Sequence, residues 1–382
     1  MDKLPCHLVL DILSRLPITS LIQFRFVCRA WHMLSHDAQL VNLYMSRTVA
    51  NNICLLFHCE YDYPVRNQIY FVEFSHQNEG ARVRKFSPPF CASMPKFNVV
   101  GSCNGLLCIA DSLHSDAVYI YNPFTSNYKQ LPTSKHSEQE ETILGFGFHS
   151  MINEYKVVKM VYQKNAFNRR RPRFGFTPLL YSQSEIQVFT LGSKTWRSIG
   201  KIPYALEHRS SSEAPLVNGR LHWLTQPVSF DGRKIISFDL ADEKFQEVSI
   251  ADCVGSRHRN YSLAVLGRSL ALVVYCSNKD SEIWVMKEYI EKGPWLKEFK
   301  IGAYSPIFQN PHSERSFGLR PGRVICLLKD GEVLIEYEGR TLVSYNPKSR
   351  NFKNLVFWRM PTLFRTIPHT GSLNWIETPI EG

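Results

Sequence analysis

Asn104 to Leu131 reads NGLLCIADSLHSDAVYIYNPFTSNYKQL. It holds a glycine-led apolar run (Gly105–Ala110), a second run over Val118–Asn122, a polar turn Pro123-Phe124-Thr125-Ser126, and a return carrying Tyr128 and Leu131. Proline presets φ for a reversal, and Ser or Thr hydroxyls can bond the local backbone there. Short apolar runs set apart by such turns are the pattern of neighbouring antiparallel strands.

The unit recurs along the chain. Phe189 is followed seven residues later by Trp196, Phe238 by Phe245 and Tyr345 by Phe352, as Tyr121 is by Tyr128. The turns between them are Leu-Gly-Ser-Lys, Leu-Ala-Asp-Glu and Pro-Lys-Ser-Arg. Glycine-bearing strands precede them at Asn218-Gly219-Arg220 and Asp330-Gly331-Glu332, and weaker counterparts sit near Phe71–Phe74 and Ile283–Trp295. Further strands are expected at 53–58, 68–74, 155–162, 185–191, 220–225, 234–240, 263–266, 269–275, 282–287, 323–328, 332–337 and 341–346. A four-stranded unit of about 50 residues is kelch-like and closes into a β-propeller when repeated. Six units fit residues 50–382, with the insertion around 164–180 stretching one of them. A twisted β-sandwich stays open as the alternative.

Ahead of this lies a different texture, Leu4 to Trp31, LPCHLVLDILSRLPITSLIQFRFVCRAW. Leu8, Val9, Ile12, Leu13 and Leu16 recur at helical spacing until Pro17 stops the run, since proline cannot donate the next backbone bond. Thr19 or Ser20 is expected to cap a second helix, with Leu21, Phe24, Cys28 and Trp31 on one stripe and Ile22 and Phe26 on another. Asp37 would cap a third helix carrying Leu40, Val41, Leu43 and Tyr44. So small a piece buries little of its own surface, so helices apolar on two faces need an internal and an external partner. A helical cap on the following domain is the competing reading. The expected class is α+β multidomain: a three-helix domain over 2–46, then an all-β domain over 50–382.

Composition narrows the function less. The 382 residues are 44% hydrophobic and 13% aromatic, enough for a sizeable core, with no apolar run long enough to span a membrane and no basic leader before one. Ten cysteines are scattered, several inside apolar runs (Cys54, Cys108, Cys276, Cys326), as reduced core cysteines are, which points to the cytoplasm or nucleus. The net charge of +11 suits an acidic protein partner, an anionic ligand or, a distant second to the protein, nucleic acid.

Few motifs carry chemistry. Arg169-Arg170-Arg171-Pro172-Arg173 lies in the long insertion and could pair with an acidic or phosphorylated segment through its guanidinium forks, act as a nuclear import signal, or be a solvated loop. Ser256-Arg257-His258-Arg259 is a second basic, turn-like stretch, while Glu138, Glu140 and Glu141 read as an acidic loop. The pairs Cys54/Cys59 and Cys103/Cys108 are spaced too widely for a structural zinc site, and His222 on its alternating strand reads as packing. No nucleotide loop, nucleophile elbow or paired carboxylate stands out, so no catalytic residue, metal ligand or cofactor is nominated.

Leu4-Pro5, then Leu10 to Pro17 (LDILSRLP), then Leu21, Phe24-Arg25 and Val27-Cys28-Arg29-Ala30-Trp31 resemble the F-box, at the N-terminal position usual in the plant F-box family. Cys6 and His7 depart from the polar residues frequent there. The resemblance implies docking on the Skp adaptor and, through it, a cullin-based (SCF) ubiquitin ligase, with Leu4, Pro5, Ile12, Leu13, Leu16, Leu21, Val27, Cys28 and Trp31 forming or directly supporting the contact. A second resemblance is to the F-box-associated (FBA) domain of plant F-box proteins. It rests on Val100 to Cys108, Tyr121-Asn122-Pro123, Leu131-Pro132, Gly145 to Phe148 and Tyr155 to Val158, and implies selection of the protein to be ubiquitinated. Together they imply a non-catalytic target receptor, with Arg169, Arg170, Arg171, Arg173, Arg257, His258 and Arg259 as candidate target contacts. A glycan- or small-anion-binding propeller is the alternative, and a metal-dependent oxidase of kelch type a remote third.

Overall fold

The computed structural model describes residues 4–51, 54–59, 68–74, 83–94, 96–112, 117–133, 140–163, 184–207, 213–226, 233–250, 260–276, 280–289, 294–304, 322–374 and 376. Two compact units divide the chain, Met1–Ser134 with Phe357–Gly382, and Lys135–Val356.

The first unit opens with four helices, α1 (Cys6–Leu13), α2 (Ile18–Phe24), α3 (Arg29–Leu34) and α4 (Ala38–Asn51). Three helices were expected. The second breaks at residues 25–28, where Cys28 is extended, and the turn brings Trp31 edge-on against Phe24 with ring centroids 5.4 Å apart. Neither Thr19 nor Ser20 caps α2: Pro17 occupies that position, and the Thr19 N–H instead donates to the Glu73 carboxylate at 3.3 Å. Asp37 does cap α4, its Oδ1 accepting the Gln39 N–H at 2.7 Å.

The same unit contains β1 (Cys54–Cys59), β2 (Gln68–Glu73) and β3 (Arg84–Phe86), then β4 (Phe97–Cys103), β5 (Leu106–Asp111), β6 (Val118–Tyr121) and β7 (Tyr128–Gln130). The second unit holds four antiparallel sheets of four strands each. They are β8 (Glu140–His149) to β11 (Arg197–Gly200) with β9 (Glu154–Gln163) and β10 (Ser184–Thr190) between; and β12 (Leu216–Val217), β13 (Arg220–Leu224), β14 (Ile235–Asp239) and β15 (Phe245–Val248). Then come β16 (Tyr261–Leu266), β17 (Ser269–Tyr275), β18 (Ser281–Met286) and β19 (Trp295–Ile301); and β20 (Arg323–Leu327), β21 (Val333–Tyr337), β22 (Thr341–Asn346) and β23 (Asn351–Leu355). A last strand, β24 (Arg365–His369), returns to the first unit and pairs with β1, so the first sheet runs β24-β1-β2-β3 and the second β4-β5-β6-β7. The acidic loop expected around Glu140 and Glu141 is the start of β8, where hairpin pairing with β9 outweighs local polarity.

The sequence repeat has a plain structural meaning. Residues seven apart face one another across the hairpin, as Tyr121 does Tyr128, Phe238 does Phe245 and Tyr345 does Phe352, and the rings of the last two pairs meet at a tilt with centroids 4.8 Å apart. Three of the four turns are tied by an Asn or Asp at the strand end: Asn122 Oδ1 accepts from Phe124 N (2.9 Å), Asp239 Oδ1 from Ala241 N (2.7 Å), Asn346 Oδ1 from Lys348 N (3.0 Å). These are side-chain copies of a backbone turn.

Sheets adjacent in sequence share cores. In the second unit Met160, Val188, Leu221 and Phe238 form one cluster; Leu224, Ile235, Leu270 and Leu272 another; Val273, Ile283, Val333 and Ile335 a third. Approach is close enough at Gly145 that an added Cβ would stand 2.6 Å from the Trp223 ring. Successive four-stranded sheets packed face to face in this way are blades, which excludes the sandwich. A buried ion pair reinforces the third and fourth sheets, where Lys156 Nζ donates to Leu240 O at 2.7 Å and Glu243 Oε1 at 2.9 Å.

Candidate functional site

The helices divide their apolar residues between two environments. Leu10, Leu13, Ile18, Leu21 and Phe24 point inward and share one core with Leu56, Phe71, Ile109, Tyr121 and Ile367 of the first two sheets. Outward-facing residues remain uncovered: Leu4, Leu8, Ile12 (53% exposed), Phe26 (73%), Val27 (65%) and Met33. Single exposed apolar residues are ordinary, but six within thirty positions of a short helical segment are a concentration that marks an interaction surface.

Polar contacts hold this segment in shape. Asp11 on α1 accepts from Arg15 Nε at 3.1 Å and from the Arg47 guanidinium of α4, which also donates to the Asp11 carbonyl at 2.8 Å and to Ser14. Those hydrogen bonds, Arg47 first and Arg15 next, hold the Asp11 carboxyl below its ordinary pKa. Thr19 Oγ1 adds a second bond to Glu73, at 3.2 Å from Oε2, so the start of α2 is fastened to the end of β2. The Arg25 guanidinium lies 4.7 Å from the centroid of the exposed Phe26 ring.

The residues singled out in the sequence fall into three groups. Leu4, Pro5, Ile12, Val27 and Cys28 are exposed, and Leu16 and Trp31 are half-buried. Leu13 and Leu21 are fully internal, at 4% and 0% exposure, so they stand behind the surface rather than on it. Leu8, Phe26 and Met33 are exposed but not among the expected contacts, although the periodicity places Leu8 on the first helix with Ile12 and Phe26 on a second stripe with Ile22. The basic residues Arg169, Arg170, Arg171, Arg173, Arg257, His258 and Arg259 lie outside the described residues.

Other chemical candidates resolve into structure. His222 is fully buried, its Nδ1 at 3.0 Å from Pro215 O and its Nε2 at 2.6 Å from the Tyr289 hydroxyl, and burial pulls its pKa down to about 4. Cys54, Cys59 and Cys108 are buried free thiols and Cys103 is half-buried; burial raises Cys54 to about 12, far from a reactive thiolate. Among the described residues no three His, Cys, Asp or Glu side chains group as a metal site would need, and no helix is long and apolar enough to cross a membrane.

Four short helices ahead of six four-stranded blades match two known families in register: the F-box-like family over residues 1–42 and the F-box associated beta propeller domain over residues 54–362. The chain belongs to the F-box proteins with an associated β-propeller. This F-box protein is 43% identical to F-box protein At3g07870 of Arabidopsis thaliana, over 100% of this chain and 94% of that one. It is 24% identical to F-box/kelch-repeat protein At3g23880 of the same plant, over 78% and 79%. Among solved structures, TolB from Acinetobacter baumannii is similar at a TM-score of 0.48 and 10% identity, covering 90% of this chain and 72% of that one.

Proposed function

We propose that this F-box protein is the target-recognition subunit of an SCF-type ubiquitin ligase. The observation that carries the reading is the division of the F-box helices into an inner face buried in the core of the first two sheets and an outer face left uncovered at Leu4, Leu8, Ile12, Phe26 and Val27. On this reading Leu4, Pro5, Ile12, Val27 and Cys28 meet the Skp adaptor directly, Leu16 and Trp31 border the contact, and Leu13 and Leu21 support it from below. The blades, of kelch type by their repeat of glycine-bearing strand and polar turn, present loops to a target protein. The basic stretches Arg169–Arg173 and Arg257–Arg259 favour a target segment that is acidic or phosphorylated.

The mechanism is proximity. A target held beside a ubiquitin-charged enzyme meets it at a raised effective concentration, and the chain itself makes and breaks no bond. The work belongs to the cytoplasm or nucleus. Co-purification of the intact chain and of an Ile12→Asp/Val27→Asp variant from proteasome-inhibited cells tests this. Adaptor and cullin should accompany the intact chain and be lost from the variant, while target proteins persist with both. An intact chain that brings down no adaptor ends the reading.

A further inference from the structure

In the first unit the segment from Arg365 to Asn374 touches a helix of the F-box, the first sheet and two turns of the second. Strand β24 pairs with β1, setting Cys54 opposite His369 and Leu56 opposite Ile367. Just beyond it, Gly371 lies so near α2 that an added Cβ would stand 2.8 Å from Ile18 Cγ2. Leu373 is buried in the core that contains Leu10, Ile18 and Phe24. The buried Asn122 donates from Nδ2 to Ser372 O at 3.1 Å and Asn374 O at 2.7 Å, and Asn374 Nδ2 donates to Asn104 O at 2.8 Å.

Helices α1 to α3 are six to eight residues long, well under the length at which a helix holds itself in water. Their conformation therefore depends on what covers their inner faces, and part of that cover is the 365–374 segment. We propose that this segment is a latch for adaptor docking: the F-box presents its outer face only once residues 365–374 have seated. A chain synthesised only as far as Phe364 would leave β1 without its edge partner and Ile18 without Gly371 beneath it. Such unfinished receptors would be kept out of the ligase. The inference rests on the docking role proposed above.

The test uses the full chain. Asn122 bonds the latch and its own turn, so Asn122→Ala loosens the latch without touching the F-box helices; Gly371→Val instead forces the segment away from Ile18. Amide exchange is followed across the chain, and affinity is measured for purified adaptor. In both variants exchange over 365–369 and α2 should quicken tenfold or more together, β8 to β23 should keep their protection, and the adaptor should bind at least fivefold more weakly. Unchanged α2 exchange and adaptor affinity within twofold of wild type in Gly371→Val would overturn the proposal. So would loss of protection throughout β8 to β23, which is general unfolding. Should the wild-type chain not bind adaptor at all, the docking role fails, while the exchange of α2 still decides whether the latch holds the F-box.

Discussion

Leu21 and Ile12 stand on opposite sides of the F-box, and truncating each should damage a different quantity. Leu21 is wholly buried, so Leu21→Ala removes packed methyl groups and leaves a cavity, a change that costs about 2–5 kcal/mol of stability. Ile12 is 53% exposed, so Ile12→Ala should cost only about 1 kcal/mol. Docking reverses the order. Full burial of such a side chain is worth about 1.5–3 kcal/mol, and roughly half of that remains available at Ile12 and somewhat more at Val27. Ile12→Ala/Val27→Ala should then weaken adaptor binding by about 2–3 kcal/mol, on the order of 30- to 150-fold. Urea unfolding followed by tryptophan fluorescence gives the stability, and titration calorimetry with purified adaptor gives the affinity. Met151→Ala, 87% exposed at the β8–β9 turn, is the control and should alter neither. A double variant that binds adaptor within twofold of wild type, or that loses more than about 2 kcal/mol of stability, would refute the assignment of these residues to an open face.

Three further outcomes follow from the same geometry. Glu243→Gln leaves the buried Lys156 ammonium, among the described residues, with Leu240 O and Glu154, and should cost about 2 kcal/mol in the same urea assay. Burial alone would raise the Glu243 carboxyl, but hydrogen bonds from Arg197 and Lys156 outweigh it and hold its pKa down; its contribution is therefore present above the unfolded carboxylate range and lost as pH falls through the lower folded value, a dependence the variant should lack. His222 and His369 are held by burial at about 4 and about 3, below the unfolded value near 6.5, so the unfolded chain binds protons first and stability should fall as pH drops from about 6.5 toward 4; His222→Gln should flatten that slope. Gly105 and Gly267 both have positive φ, yet an added Cβ at Gly105 would stand 1.9 Å from Ser372 Oγ and one at Gly267 meets nothing within 4 Å. Gly267→Ala should thus cost about 1 kcal/mol from backbone strain alone, and Gly105→Ala clearly more, read as paired shifts in Tm.

Strands with an aromatic, a turn and a returning aromatic were legible because the spacing of seven is itself the cross-strand register, Phe238 opposite Phe245 and Tyr345 opposite Phe352. Strands that depend on packing or pairing with residues far away in sequence were not. β8 begins with two glutamates and carries Gly145 and Gly147, poor residues for a strand until the Trp223, Leu216 and Leu240 side chains that need that room are known. β24 contains Pro368, which local reading counts against a strand; it lies on the sheet edge, where a missing N–H is tolerated. The F-box was legible as a residue order, but that order cannot separate Ile12 from its neighbour Leu13, one exposed and one buried, since both lie within the same apolar run.

Why the F-box cannot be a tethered bead follows from its own apolar inventory. A segment of about 45 residues buries too small a fraction of its surface to fold unaided, and one given apolar residues on two faces is worse placed, because one of those faces stays uncovered. The inner face therefore needs permanent cover. The first two sheets supply it through Leu56, Phe71 and Ile367, the Glu73 carboxylate takes the place of a capping side chain at α2, and Gly371 yields the space Ile18 fills. An outer face held on such a base has less conformational entropy to lose on docking, so its few exposed side chains can count for more in affinity than their area alone suggests.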